Sequence, residues 1–307
     1  MIFRQLLDSV SCTYTYLLAG RPGGEALIID PVIEKVDRYL ELLKELDLTL
    51  VKAIDTHVHA DHITGIGALR DATHCVTVMG KESKVDMVSM RVDDGDKVEI
   101  ENISLDVMYT PGHTDDSYCF AMKDQVFTGD TLLIRGTGRT DFQNGDPRVA
   151  YDSLFNKLLT LPDETLVYPG HDYKGDTVST IGEEKAFNPR LQVASAEEYA
   201  DIMDSLILPD PTKMDVAVPA NQAIGFSGDA LDIQEHTIPA DRAIEWMQRV
   251  KAHRPDRPFL CYFAPGAVHA PLHVPAAWLD RFRGFFDEGW DDLRQAVFDA
   301  EDGVRIH

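Results

Sequence analysis

The chain has 307 residues, enough for one large domain or two smaller ones, and 44% of them are hydrophobic, an ordinary share for a globular protein. Its formal net charge of −23 sets a mean field that repels phosphates, which argues against nucleic acid and anionic membrane as partners. No apolar run is long enough to span a bilayer, and residues 1–10, which include Arg4 and Asp8, lack the layout of a signal peptide.

Residues 13–18 alternate moderately and predict a strand, followed by the turn Arg21-Pro22-Gly23-Gly24. A second strand at 26–29 ends at Asp30-Pro31. Ile33, Val36, Leu40 and Leu43 then recur at helical spacing with charges between them, the pattern of an amphipathic helix lying on a sheet. A buried strand at 50–54, a short helix at 65–71 and a strand at 75–79 follow. Further strands are predicted at 97–100, 104–109, 118–122, 125–128 and 166–168, with a helix at 147–159 that has Pro in its first turn and helices at 181–185 and 196–206. Two sheets face to face, covered outside by helices, satisfy this order.

From Pro209 the texture changes. Pro209, Pro211 and Pro219 punctuate a mixed segment that runs through Asn221. After it come a loop bearing Gly and Asp, a helix at 240–252, an apolar strand at 258–263, a Pro-rich stretch and an aromatic one between Trp278 and Trp290. Cys12, Cys75, Cys119 and Cys261 are scattered without a close pair and read as reduced, which suits a cytoplasmic setting. Cys75 and Cys119 sit in apolar runs and are expected in the core, so no cysteine is a candidate nucleophile.

The chemistry concentrates in His57-Val58-His59-Ala60-Asp61-His62, directly after the strand at 50–54. Imidazole and carboxylate ligands at the end of a buried strand sit on a rigid element and suit zinc, iron or manganese more than calcium. Later ligands also follow apolar segments: His113 in Thr110-Pro111-Gly112-His113-Thr114, Asp130 in Gly129-Asp130-Thr131 and His171 in Pro169-Gly170-His171-Asp172. Two arrangements are open. In one, His57, His59 and His113 hold one metal, Asp61, His62 and His171 hold another, and Asp130 bridges them, which is a hydrolase site. In the other, two histidines and one carboxylate hold a single Fe(II) with open positions for O₂. Spacing does not choose between them.

The ligand order His57, His59, Asp61, His62, His113, Asp130, His171 resembles the metallo-β-lactamase superfamily and covers roughly the first two thirds of the chain. Gly136-Thr137-Gly138-Arg139-Thr140-Asp141-Phe142-Gln143, Tyr168-Pro169-Gly170-His171-Asp172-Tyr173 and the stretch from Glu183 to Leu191 resemble its persulfide dioxygenase (sulfur dioxygenase) branch, and Val218-Pro219-Ala220-Asn221 resembles that branch's usual ending. Glyoxalase II, a hydrolase relative, shares the ligand set but lacks the Gly-Arg-Thr-Asp-Phe signature. Many relatives have Cys where this chain has Thr137, so a thiol there is not essential to the dioxygenase reading.

The resemblance implies an αββα sandwich of α/β (α+β) class over residues 1–221, with iron on His57, His113 and Asp130. His59, Asp61, His62 and His171 then form a polar surround, or the second site if two Zn(II) ions are bound. Arg139 is the candidate for a substrate carboxylate, with an ion pair to Asp141 as the competing role, and Tyr173 is the candidate hydrogen-bond donor near the open coordination positions. One Fe(II) per chain, glutathione persulfide and O₂ as reactants, sulfite and glutathione as products, and a possible cytoplasmic homodimer complete the implied picture. A two-metal thioester hydrolase and a non-catalytic fusion protein are the alternatives.

The tail, residues 222–307, resembles an internal piece of an arylsulfatase through Ala243-Ile244-Glu245-Trp246, the stretch from Phe263 to Pro271 and the stretch from Gly289 to Arg294. His269 matches a sulfate-contacting histidine of that family. No Cys-x-Pro-x-Arg nucleophile motif precedes it, so sulfate-ester hydrolysis is not expected. Its roles are those of a fusion remnant or of a packing extension that buries the strand at 258–263. Limited proteolysis is expected to accumulate a fragment ending near Asn221, and uniform resistance through residue 307 would contradict that division.

Overall fold

The computed structural model of the protein describes residues 1–85, 87–206, 208 and 214–225. The predicted helix at 240–252, the strand at 258–263 and the sulfatase-like stretches lie outside these residues.

The first sheet contains β1 (Ile2–Asp8), β2 (Thr13–Ala19), β3 (Glu25–Ile29), β4 (Thr49–Ile54), β5 (Val76–Gly80) and β6 (Met90–Val92), side by side in chain order. β1 to β3 are antiparallel, and β3 to β6 are parallel. Two of the crossovers that parallel pairing demands are helices: α1 (Val36–Glu45) joins β3 to β4, and α2 (Ile66–Thr73) joins β4 to β5. The second sheet begins with β7 (Lys97–Ile100), β8 (Ile103–Tyr109), β9 (Tyr118–Ala121) and β10 (Gln125–Gly129). A small hairpin follows, β11 (Leu132–Leu133) and β12 (Gly136–Thr137), then α3 (Pro147–Phe155). The sheet closes with β13 (Leu166–Pro169) beside β10 and β14 (Ser179–Thr180) at the edge. Helices α4 (Ile181–Phe187), α5 (Ala196–Asp204) and α6 (Met214–Gln222) end the described chain.

Three apolar layers hold the sandwich. Tyr16, Leu18, Leu27, Ile29 and Ile54 of the first sheet meet Leu105, Tyr118, Phe120 and Phe127 of the second. The opposite faces of the same strands are also covered: Leu17 and Ile28 pack with Leu42, Leu43 and Ile66 of the helices. On the far side Cys119, Val126 and Val167 pack with Leu154 and Tyr199. All seven residues of β2 are buried, which is why its alternation is weak: a strand covered on both faces has no solvent side to mark.

The four-layer architecture agrees with the sequence expectation, and several boundaries move. β1 has no counterpart among the predicted elements, because it is an edge strand with a partly exposed pattern whose hydrogen bonds come from pairing with β2. Of the expected α1 stripe, Leu43 is fully buried with Tyr39 and Leu42, whereas Ile33 lies in a preceding 3-10 turn. The helix predicted at 147–159 ends at Phe155 and is followed by a 3-10 turn at Leu158–Thr160. The Pro-punctuated segment becomes helical as α6 despite the internal Pro219, because buried Ala217 and Ala220 dock it on the core. Cys75 and Cys119 are buried, and burial raises both thiols, Cys119 to about 11, so neither is a thiolate at neutral pH.

Candidate metal centre

Four strand ends open on one edge of the sandwich. β4 runs into residues 55–62, β8 into 110–117, β10 into Asp130, and β13 into His171. There His57, His113 and Asp130 each present one ligand atom within 4.8 Å of the others. The hydrogen bonds around them decide which atoms those are. Thr56 Oγ1 donates its one proton to Asp30 Oδ2 at 3.0 Å, so it accepts from His57 Nδ1 at 2.9 Å and leaves a lone pair on His57 Nε2. His113 Nδ1 donates to the Arg139 carbonyl at 2.7 Å, which again leaves Nε2 available. Asp130 Oδ1 accepts from His171 Nδ1 at 2.7 Å, and Oδ2 lies 3.6 Å from His113 Nε2. Tautomers fixed in this way orient a ligand before a metal arrives.

His171 differs from the other histidines. Its second nitrogen, Nε2, lies 2.8 Å from Asp61 Oδ2, so both ring N–H groups face carboxylates and neither nitrogen offers a lone pair in this arrangement. Burial disfavours its charge, but Asp130 and Asp61 outweigh burial and hold its pKa well above the ordinary value. Conversely, burial works against ionised Asp130, and His171, His113 and His57 overcome it, keeping the carboxyl well below its usual range. Burial, reinforced by His59 and His113, pushes His57 well below its ordinary pKa and leaves it neutral. A neutral imidazole and an ionised carboxylate are the states a metal ligand requires.

His59, Asp61 and His62 form a second group with ligand atoms within 4.8 Å. His59 Nε2 donates to Asp30 Oδ1 at 3.2 Å, and His62 Nδ1 donates to Asp61 Oδ2 at 2.9 Å. Their other nitrogens, His59 Nδ1 and His62 Nε2, are buried without a hydrogen-bond partner among the described residues. An orphaned buried acceptor costs about 1–3 kcal/mol, which a bound cation removes. The donor set and these two nitrogens therefore fit a metal ion.

A cavity of about 510 Å³ opens over His113 and Asp130. Arg139 lines it, but its guanidinium is already engaged: Nε and Nη2 donate to Asp141 at 2.6 and 2.7 Å, and the group lies 3.8 Å over the Phe142 ring. Tyr173 stands at the mouth, 70% exposed, with its ring parallel to that of His171 at 6.0 Å. Residues not singled out from sequence complete the site. Arg190 reaches the same cavity, bonds the Thr137 carbonyl and has no carboxylate partner among the described residues. Its only sequence signal was its place in the Asn188-Pro189-Arg190-Leu191 run. Asp30 and Thr56 hold the histidine loop from behind, and Thr13 Oγ1 lies 3.2 Å from His62 Nδ1 and 3.0 Å from His171 Nε2. In sequence Asp30 reads only as the end of a strand, because its role depends on contacts 26 residues away.

Two packed mixed sheets with a His and Asp cluster at their strand ends define a metal-dependent enzyme of one fold family. Residues 12–88 and 90–171 match the metallo-beta-lactamase superfamily profile. The mitochondrial persulfide dioxygenase ETHE1 of Mus musculus is 46% identical over 228 residues, covering 73% of this chain and 89% of the relative, and the Homo sapiens protein matches to the same extent. The crystal structure of ETHE1 from Myxococcus xanthus superimposes with a TM-score of 0.72 at 55% identity, covering 73% of this chain and 100% of that one. The chain belongs to the metallo-beta-lactamase superfamily, in its persulfide dioxygenase branch, and is an enzyme of that kind with a metal cofactor.

The close approach of Gly138 makes the centre testable. A Cβ there would stand 2.1 Å from the Asp130 carbonyl oxygen and 2.8 Å from the His113 ring. Gly138→Ala is expected to displace His113 and to lower bound metal by about tenfold or more, measured by elemental analysis, with the far-UV circular dichroism retained.

Proposed function

We propose that the chain is an Fe(II)-dependent persulfide dioxygenase that converts glutathione persulfide, O₂ and water to sulfite and glutathione. The balance is GSSH + O₂ + H₂O → GSH + SO₃²⁻ + 2 H⁺, with the terminal sulfur oxidised and O₂ reduced. The observation that supports it best is the triad of His57, His113 and Asp130, each with one atom left free, beside a His171 whose nitrogens both serve carboxylates. Two imidazoles and one carboxylate suit non-haem Fe(II) and leave adjacent positions open. When bound, the iron supplies the redox chemistry that joins O₂ to a soft sulfur.

The protein's own groups do the rest. His171 keeps its proton between Asp61 and Asp130 and so keeps Asp130 anionic. Arg190, Arg139 and Lys174 put positive charge on the cavity wall of a chain whose net charge is −23, which favours an anionic carrier such as glutathione. Arg190 has the freer guanidinium for a carboxylate, whereas Arg139 must share its own with Asp141. Tyr173, beside His171 in the cavity lining, would offer its hydroxyl as a hydrogen-bond donor near the open coordination positions. Leu133, Ile134 and Phe142 give the cavity an apolar wall that excludes water from the persulfide. We expect the enzyme to work as a cytoplasmic homodimer, and we assign residues 222–307 no catalytic part.

A second reading, a two-metal thioester hydrolase, is favoured by the orphaned His59 Nδ1 and His62 Nε2, which could serve a second ion with Asp61. Metal loading separates the two. About one iron per chain, with oxygen uptake coupled to sulfite on addition of glutathione persulfide, is the expected result; two zinc ions per chain with thioester hydrolysis and no oxygen uptake would favour the hydrolase. The ligands give an independent check by iron analysis. His57→Ala, His113→Ala and Asp130→Asn are expected to lose most of the bound iron, and His62→Ala to keep it. Loss of iron in His62→Ala would count against the single-metal assignment.

A further inference from the structure

The metal loop is held from outside as well as from within. Asn221, in the last turn of α6, is 2% exposed, and its whole carboxamide is spent on the stretch that contains the histidines. Its Nδ2 donates to the carbonyls of His59 and His62, both at 2.8 Å, and its Oδ1 accepts from the Thr64 amide at 2.8 Å. This pattern fixes which end of the amide is which: the reverse orientation would set an oxygen against two carbonyls and an N–H₂ against an N–H. The contacts span 157 to 162 residues of sequence, so only the docking of α6 brings them about.

The same docking is continued one turn later. Gly225, at φ +87°, lies where a Cβ would come within 2.1 Å of the Thr64 carbonyl oxygen, and buried Ile224 enters the cluster that contains Val58. Residues 59–64 form no helix or strand; the end of the stretch is tied by its backbone to Val32 and Ile33, through the Ile63 carbonyl and the bridge at Thr64, whereas the carbonyls of His59 and His62 are held by Asn221. Within it the side chains of His59 and His62 carry the two orphaned nitrogens. Their direction depends on the two carbonyls that Asn221 grips.

We propose that Asn221 is a positioning residue of the metal centre: through two N–H donors and one acceptor it sets the backbone of the His57 to His62 loop, and with it the geometry of the bound metal. The inference rests on the proposed metal-dependent reading of this site. It goes beyond packing, because it assigns the effect to the donors and not to the volume of the side chain.

The test uses the full chain and Co(II) alone as probe, whose visible absorption reports ligand geometry and whose affinity is read by chelator competition. Three variants are compared with the unaltered protein: Asn221→Ala, Asn221→Asp and, as a control on an exposed neighbour, Gln222→Ala. Asn221→Asp preserves shape but faces two carbonyls with an acceptor. A positioning role predicts that it loses Co(II) affinity by about tenfold or more, at least as much as Asn221→Ala, and that both alter the absorption bands while Gln222→Ala does not. Wild-type affinity and spectrum in a folded Asn221→Asp overturn the assignment and leave the metal reading intact. Failure of the unaltered chain to bind Co(II) sinks both. Where either variant does not fold, amide hydrogen exchange of the unaltered protein decides: the Thr64 amide is expected to be protected as strongly as those of β4, and fast exchange there overturns the clamp.

Discussion

A buried carboxylate outside the triad organises the centre. Asp30, 1% exposed at the end of β3, accepts from the Thr56 amide at 2.7 Å, from the Thr56 hydroxyl at 3.0 Å and from His59 Nε2 at 3.2 Å. Burying an ionised carboxylate is costly unless each oxygen is paired, so the fold can keep Asp30 only with Thr56 and His59 in these places. That requirement sets the tautomer of His57 through Thr56 and commits His59 Nε2 to Asp30. It also raises the His59 pKa to about 9 against the effect of burial, so a cation taken at Nδ1 would displace the second ring proton. Asp55 beside it is pushed up to about 7 by burial and is held by the Thr64 hydroxyl at 2.9 Å.

The rest of the centre repeats this logic with other partners. His113 is set by the Arg139 carbonyl, Asp130 by His171, and His171 by Asp61. His57, His113 and Asp130 thus each have one atom committed to the protein and one left over, whereas both nitrogens of His171 are committed. Two sheets contribute these groups, so the centre forms only when the apolar layer between them, Tyr16 and Ile54 against Phe120 and Phe127, is packed. Metal affinity and sandwich stability are linked for that reason: an ion that binds only the assembled centre stabilises the folded state by mass action.

Charge is distributed to match. The chain is strongly acidic, and its cavity wall sets Arg139, Lys174 and Arg190 alongside Asp61, Asp130 and Asp172. Arg190 is half-buried, and burial lowers its pKa without removing its charge. A cation held in a partly desolvated wall acts on an anionic ligand more strongly than a surface one, because water screens it less. This local placement of cations cannot be read from composition.

Much of the centre was legible in the chain. His57, His59, Asp61 and His62 within six residues, each later ligand after an apolar run, and the helical spacing before residue 45 are local signals, and local signals survive in one dimension. Edge strand β1 was not legible, because its partly exposed pattern has no clean period and its partner is another strand. The helical state of residues 214–222 was hidden by Pro219, whose cost is offset by burial of Ala217 and Ala220. The sequence by itself therefore determined the candidate ligand cluster, the layer order and the family. Only the tertiary structure decided which nitrogen of each histidine is free, that His171 lies between two carboxylates, that Arg139 is shared with Asp141, and that Asn221 grips the loop. The reason is physical: residue identity supplies donors and acceptors, but which donor meets which acceptor depends on contacts that span up to about 160 residues, as between Asn221 and His62, and those exist only once the sheets have packed.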